Sequence, residues 1–163
     1  MFKIKYQRNI KELILLIIIA LVSVGCATYK AGTKKAFMNV EKGNYPAAIV
    51  ELKKNLKTEG DDRLLYFLEI GLLENLNGNY EASNRLLSRA ATIADELETI
   101  SVNDQLGAAF TSPRNAAYQG TKFERVFIHY YQALNYAFLA ANNVAKRNEL
   151  LEGARIEARK VDI

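Results

Sequence analysis

Apolar residues recur at three- and four-residue spacing along most of the chain after residue 31, a pattern that predicts helices rather than strands. Few runs alternate with period two, so we predict an all-α protein with six helices. These helices are expected at about 32–42, from Pro46 to about 57, at 62–76, at 80–99, at 122–141 and around Leu150 to the C-terminus.

Capping residues indicate where several of these helices begin. Pro46 suits the first turn of the second helix, because its missing N–H needs no intrahelical partner there. Asp61 or Asp62 can cap the third helix. Thr121 and Glu124 have the spacing of a capping box at the start of the fifth helix, in which each side chain accepts a hydrogen bond from the other's backbone N–H.

The stretch 101–120 departs most from the helical pattern and is predicted to hold an insertion or loop. Its clearest irregular part is 111–115, which contains Pro113. A short helix is expected before it, at about 104–110.

The fifth helix carries two different faces. Its apolar residues are expected to face the core, and they are Phe123, Val126, Phe127, Tyr130, Leu134, Ala137, Phe138 and Ala141. A separate polar and aromatic stripe consists of Arg125, His129, Gln132 and Tyr136. We expect the last helix to leave part of its apolar edge uncovered.

Residues 1–25 have the organisation of a bacterial export signal. Four basic residues precede an apolar run at 13–24, which is twelve residues long and interrupted only by Ser23. That length suits the core of a signal peptide, whereas a helix that spans a membrane needs about 20 apolar residues.

The end of this leader resembles a bacterial lipobox. Gly25, Cys26 and Ala27 match its closing residues, and Ser23 departs from it because an aliphatic residue is usual there. We predict a lipoprotein signal peptide at 1–25, lipid attached to Cys26 and a short lipidated tether at 26–31. An uncleaved signal anchor and secretion by the ordinary signal peptidase are the alternatives.

The basic charge of the chain belongs largely to the leader. The whole chain has 22 basic and 18 acidic residues, and removal of 1–25 leaves 18 against 17. No basic patch then favours nucleic acid. Cys26 is the single cysteine, so the domain at 32–163 must be stabilised by packing rather than by disulfides.

The breaks between the helices are periodic. The tripeptides Gly43-Asn44-Tyr45 and Gly78-Asn79-Tyr80 lie 35 residues apart, close to the ~34-residue period of tetratricopeptide repeats. A small residue stands seven positions before each glycine, Ala36 in the first copy and Gly71 in the second. Two helices of a hairpin are expected to approach closely there.

Other positions of the repeat agree. Leu52 and Leu87 stand nine positions after the two glycines, and a weaker third copy starts at Asn142, with Asn135 at its small-residue position. The mature region therefore resembles a tetratricopeptide-like protein. This resemblance implies helical hairpins that stack around one continuous core.

The C-terminal part carries a second resemblance. Its motifs are Ser101-Val102-Asn103-Asp104-Gln105-Leu106, Tyr118-Gln119-Gly120, Phe123-Glu124-Arg125-Val126, His129-Tyr130-Tyr131-Gln132-Ala133-Leu134-Asn135-Tyr136 and Glu157-Ala158-Arg159. They resemble an uncharacterised family of Gram-negative, tetratricopeptide-like lipoproteins. Genes of this family lie near genes for activators of cell-wall synthases, so the resemblance implies a process in the cell envelope, and it implies no established activity. Members of that family are longer, so a shortened member is expected.

The sequence contains no pattern that indicates catalysis. His129 is the single histidine, whereas a zinc site needs three or four ligands. The glycine motifs of nucleotide sites and the G-x-S-x-G motif of hydrolases do not occur. We expect no enzyme activity, no metal, no small-molecule substrate and no cofactor except the lipid on Cys26.

Candidate partner-binding residues lie around the start of the fifth helix. They are the loop residues Tyr118 and Phe123 and the stripe of Arg125, His129, Gln132 and Tyr136. We predict that they line a concave groove of the kind in which repeat arrays bind peptides or protein surfaces. The alternative is an ordinary solvated or hydrogen-bonding face.

These features together predict a membrane-anchored periplasmic lipoprotein. It is expected to act as a non-catalytic scaffold or adaptor for an envelope protein, in cell-wall synthesis or outer-membrane assembly. Ala27 after the cysteine favours the periplasmic face of the outer membrane over the inner membrane. The alternatives are an inner-membrane, signal-anchored subunit of an envelope complex and a truncated family member without a function.

Overall fold

The computed structural model describes residues 27–105 and 118–161, and within them the chain forms six helices and no strand. The helices are α1 (Ala27–Glu41), α2 (Tyr45–Asn55), α3 (Arg63–Leu76), α4 (Tyr80–Gln105), α5 (Lys122–Asn142) and α6 (Arg147–Arg159). The predicted all-α class is confirmed. The leader, the lipidation candidate Cys26 and residues 106–117 of the predicted insertion lie outside the described residues.

Two helices extend beyond their predicted bounds. α1 begins at Ala27, so residues 27–31 of the predicted tether already belong to the helix. α4 continues to Gln105, past the end predicted near Thr99, and includes the first residues of the short helix predicted at 104–110. The apolar spacing is weak in both extensions, but neither contains a proline, and a helix continues readily until a residue breaks it.

The start of α5 confirms the predicted capping box. The Glu124 N–H donates to Thr121 Oγ1 at 3.2 Å, and the Thr121 N–H donates to Glu124 Oε2 at 2.6 Å. Pro46 lies in the first turn of α2, as predicted. Asp62 lies at the N-cap position of α3, but its side chain makes no capping hydrogen bond.

The two predicted repeat copies turn the chain in the same way. Gly43 and Gly78 have φ of 69° and 79°, in the left-handed region that favours glycine. In each copy the N–H of the next residue, Asn44 or Asn79, donates to the carbonyl five residues back at 2.8 Å. This is the hydrogen-bond pattern of a Schellman motif, which satisfies the last carbonyls of a helix.

The small residues of the repeat lie where helices meet. Ala36 of α1 is buried, and a Cβ added to Gly71 of α3 would come within 2.9 Å of Leu87 Cδ2 on α4. Leu52 and Leu87, the leucines at matching positions, are both buried. The hairpins α1–α2 and α3–α4 therefore have equivalent contact positions, which is compatible with the predicted tetratricopeptide-like arrangement.

Packing in the described ranges is between neighbours: consecutive helices contact each other, and α3 also contacts α5. One apolar cluster joins α1, α2 and α3 through Ala36, Ala48, Ile49, Leu52, Leu56, Ile70 and Leu73. A second joins α3, α4 and α5 through Leu64, Leu87, Ala90, Ile93, Ala94, Leu97 and Ile128. α3 belongs to both clusters, so it links the two halves of the core.

The last helix adds little to this core. Leu151 and Ile156 of α6 are exposed, which agrees with the uncovered apolar edge that the sequence predicts. None of the helices in 27–105 and 118–161 is long and apolar enough to cross a membrane.

Candidate functional site

The side of α5 that faces α4 carries buried polar residues next to the apolar Ile128. Asn135 is completely buried, and its Nδ2 donates to Ser83 Oγ at 2.8 Å and to Asn84 Oδ1 at 2.9 Å. Its Oδ1 accepts a hydrogen bond from Asn75 Nδ2 at 2.6 Å. The Ser83 hydroxyl in turn donates to the Gly71 carbonyl oxygen at 2.7 Å. This network joins α3, α4 and α5 at one point.

This polar face corrects the predicted orientation of α5. Gln132, predicted to bind a partner, is only 3% exposed, and its Nε2 donates to Ser88 Oγ at 2.8 Å. The residues predicted to face the core are in part exposed instead, with Phe123 at 68%, Phe127 at 38% and Tyr130 at 44%. The reason lies in α4, whose buried Ser83 and Asn84 face α5 and require hydrogen-bonding partners.

Three of the predicted binding residues share an open pocket. Phe123, Arg125 and His129 line a space of about 650 Å³ where α5 meets the ends of α4 and α6. Arg125 forms an ion pair with Glu98 of α4, and His129 Nδ1 lies 2.8 Å from Glu157 Oε2 of α6. Both polar side chains therefore already hold neighbouring helices together.

The two predicted tyrosines have structural contacts elsewhere. The Tyr118 hydroxyl donates to Glu124 Oε1, and the Tyr118 N–H donates to the Asp61 carbonyl oxygen at 3.1 Å. The ring of Tyr136 packs on the backbone of α6, where a Cβ added to Gly153 would come within 3.1 Å of it. The six predicted binding residues therefore do not form one continuous groove.

A different groove lies between α3 and α5. It encloses about 240 Å³ and is lined mainly by apolar side chains, which are Leu65, Leu68, Leu72, Leu87, Phe127, Ile128 and Tyr131. Glu69 and Glu124 are the charged residues of this lining. The volume is below the ~300–1,000 Å³ of typical small-molecule sites, so the groove suits a few side chains of a larger partner.

An exposed aromatic ridge continues from this groove along α5. The ring centroid of Phe127 lies 4.6 Å from that of Phe123 and 6.2 Å from that of Tyr130. Tyr130 in turn lies 5.3 Å from Tyr131, which lines the groove. Contiguous exposed apolar surface of this kind marks interaction sites on soluble domains.

The two carboxylates of the groove have opposite environments. Burial, and then the nearby charge of Glu124, raises the pKa of Glu69 above its ordinary value. Burial also acts to raise the pKa of Glu124, but hydrogen bonds from Tyr118 and Thr121 outweigh it and lower that pKa. Glu69 makes no hydrogen bond or ion pair with the described residues.

The sequence contained a signal for this groove that the motif analysis missed. Leu65, Leu68 and Leu72 recur at the spacing of one helix face, and Glu69 lies on the same face. An acidic residue inside an apolar stripe is unexpected in a helix that packs only against a core. The partner helix α5 could not be identified from this signal, because residues 77–121 separate the two helices along the chain.

Residues 27–105 and 118–161 contain no group of three or more His, Cys, Asp or Glu side chains that could hold a metal ion.

No family model matches the chain, and no similar curated protein or solved structure was found. The resemblances to tetratricopeptide proteins and to the lipoprotein family therefore stay predictions from the sequence.

Proposed function

We propose that this protein is a membrane-anchored periplasmic lipoprotein that acts as a non-catalytic scaffold or adaptor for an envelope protein. The observation that carries the binding role is the open apolar groove between α3 and α5, which continues into an exposed aromatic ridge. Arrays of helical hairpins use such surfaces to bind peptides and protein partners.

The anchoring role rests on the leader sequence. Residues 1–25 resemble a lipoprotein signal peptide, and lipid is expected on Cys26. One acyl chain gives only marginal membrane binding, so a stable anchor needs two or more chains, which lipoprotein maturation supplies. Because α1 begins at Ala27, the helical domain would lie close to the membrane surface.

The cellular process comes from the resemblance of the C-terminal motifs alone. That resemblance favours a process of the cell envelope, such as cell-wall synthesis or outer-membrane assembly, and Ala27 after the cysteine favours the periplasmic face of the outer membrane. An inner-membrane protein that keeps its leader as a signal anchor is the alternative, and the first experiment separates the two.

Intact-mass analysis of the membrane-extracted protein tests the anchor, with a Cys26→Ala variant as the control. We expect a species that starts at Cys26 and carries the mass of its acyl chains, and we expect the variant to lack it. A mass that retains residues 1–25 without acyl chains would instead identify a signal anchor and contradict the lipoprotein proposal.

Photo-cross-linking in cells tests the groove. A cross-linking amino acid at Leu68 or Leu72 would face the groove, whereas the exposed position Lys53 on α2 or Arg89 on α4 serves as the control. We expect the same cross-linked species from both groove positions and not from the controls. Absence of a species specific to the groove positions would contradict the scaffold proposal.

A further inference from the structure

The groove between α3 and α5 contains a partly buried carboxylate that has no counter-charge among residues 27–105 and 118–161. Glu69 is half-buried beside Leu65, Leu68 and Leu72, and it makes no hydrogen bond or ion pair with the described residues. Burial of a carboxylate is unfavourable unless a counter-charge or donor compensates for the lost water. A bound partner can supply that compensation.

The second carboxylate of the groove does not compete for that partner. Glu124 accepts hydrogen bonds from the Tyr118 hydroxyl and the Thr121 N–H, and it thereby holds the start of α5 in place. Its negative charge still acts on Glu69 and makes the groove more attractive to a cation. Of the two carboxylates in the groove, Glu69 is therefore the one that is free to pair with a bound cation.

We propose that this groove binds an amphipathic helical segment of the partner protein, which places a Lys or Arg side chain on Glu69 and apolar side chains on the leucines around it. This inference rests on the proposed function and specifies the chemistry of the partner. The basic residue follows from the unpaired carboxylate, and the apolar anchors follow from the lining of the groove.

The helical form of the ligand follows from the walls of the groove. Both walls are helices, whose backbone groups are paired within α3 and α5. An extended peptide would find no strand edge there with which to pair its own N–H and C=O groups, whereas a helix satisfies its backbone internally. The exposed rings of Phe123 and Tyr130 extend the apolar contact beyond the groove.

Two other occupants fit the charges less well. In a two-fold dimer through this face, each Glu69 would approach the acidic groove of the second copy, which is repulsive. An anionic lipid surface would likewise repel Glu69 and Glu124. A basic, amphipathic protein segment satisfies both the charge and the apolar surface.

Peptide binding tests the proposal on the full-length protein, reconstituted in nanodiscs of zwitterionic lipid. The probes are labelled helical peptides of about 15 residues, long enough to form a helix. They share one apolar face and differ only at its central position, which is Lys, Met or Glu. Fluorescence anisotropy at pH 7 gives the affinity of each peptide.

We expect the Lys peptide to bind about tenfold more tightly than the Met peptide, and the Glu peptide to bind most weakly. Glu69→Gln should remove the preference for Lys and leave the Met peptide unaffected. The control Glu59→Gln makes the same charge change on an exposed loop and should keep the preference. Circular dichroism of the three proteins verifies that the fold is unchanged.

Equal binding of the three peptides, or a preference that survives Glu69→Gln, would overturn the proposal. If the wild type sediments as a dimer and Glu69→Gln changes that dimer, the groove binds a second copy of the chain. That result would also overturn the proposal. If groove positions still cross-link in cells while the peptides show no preference, the partner chemistry is wrong and the scaffold role stands. If the groove positions do not cross-link and the peptides show no preference, both proposals fail.

Discussion

The side-chain amide of Asn75 on α3 donates a 2.6 Å hydrogen bond to Asn135 on α5, across 60 residues of sequence. Asn135 is completely buried, and its own amide nitrogen donates to Ser83 and Asn84 of α4. One polar side chain thus couples three helices, including both helices that form the groove. The two helices that form the groove are therefore joined by a network that a pattern of apolar residues does not reveal.

Replacement of Asn135 by Leu should destabilise the protein strongly. The change leaves Asn75, Ser83 and Asn84 without their shared partner, and unsatisfied buried groups of this kind cost about 1–3 kcal/mol each, so we expect a total loss of about 3 kcal/mol. Urea unfolding followed by circular dichroism measures it. Asn148→Leu, at an exposed position of α6, should change stability by less than about 0.5 kcal/mol. An equal effect of the two changes would show that the network contributes nothing.

Gly71→Ala should destabilise the contact between α3 and α4. The added Cβ would lie 2.9 Å from Leu87 Cδ2 and 3.0 Å from Leu87 Cγ, too close unless the buried Leu87 side chain or the helices shift. Alanine is the better helix former by about 1 kcal/mol, which acts against the effect of the clash. We expect the clash to dominate, so that thermal unfolding shows a net loss of about 1–2 kcal/mol in the free energy of unfolding.

Gly153→Ala is the matched comparison for this contact. Its added Cβ would lie 3.1 Å from the half-buried ring of Tyr136, which has more room to move than the buried Leu87. We expect a smaller loss there than at Gly71. If Gly71→Ala instead stabilises the protein, helix propensity alone governs this position, and the two helices do not meet as closely as described.

Glu69→Gln should stabilise the free protein at neutral pH. The pKa of Glu69 is raised above its ordinary value of 4.5, so the folded state holds its proton more tightly than the unfolded state. The stability that this group contributes is therefore lost as pH rises from about 4.5 through its higher pKa in the folded state. The variant should have the higher melting temperature at pH 7, and the difference should vanish below about pH 4. A lower melting temperature of Glu69→Gln at pH 7, relative to the wild type and to the exposed-loop variant Glu59→Gln, would contradict the unfavourable burial.

Tyr118→Phe should show the opposite dependence on pH. Burial acts to raise the pKa of Glu124, but hydrogen bonds from Tyr118 and Thr121 lower it below 4.5. The stability that this carboxylate contributes is present above pH 4.5, and it is lost as pH falls through the lower pKa of Glu124 in the folded state. Removal of the Tyr118 hydroxyl should cost about 1 kcal/mol at pH 7 and less at pH 3.

Urea unfolding at the two pH values measures this effect, with Tyr130→Phe as the control. Tyr130 keeps its ring exposed, so loss of its hydroxyl should change stability little at either pH. If Tyr118→Phe costs as much at pH 3 as at pH 7, the hydroxyl acts through a contact other than Glu124.

Local chemistry made much of the fold predictable. The capping box of Thr121 and Glu124 lies within three residues of sequence, and the turns at Gly43 and Gly78 depend on one residue that adopts positive φ without strain. The all-α class and the six helices of residues 27–105 and 118–161 follow from such short-range rules. The early start of α1 at Ala27 was not predictable in this way, because no apolar stripe marks its first turns.

The sequence alone therefore determined which segments are helical and where they turn, since these depend on neighbouring residues. The tertiary structure decided which side of α5 is buried. Gln132 and Asn135 lie inside because Ser88, Ser83 and Asn84 of α4 offer them hydrogen bonds, and the rings of α5 consequently lie outside. The groove exists only because α3 and α5, distant along the chain, lie side by side. Burial is a property of the surface that a helix meets, and that surface comes from another part of the chain.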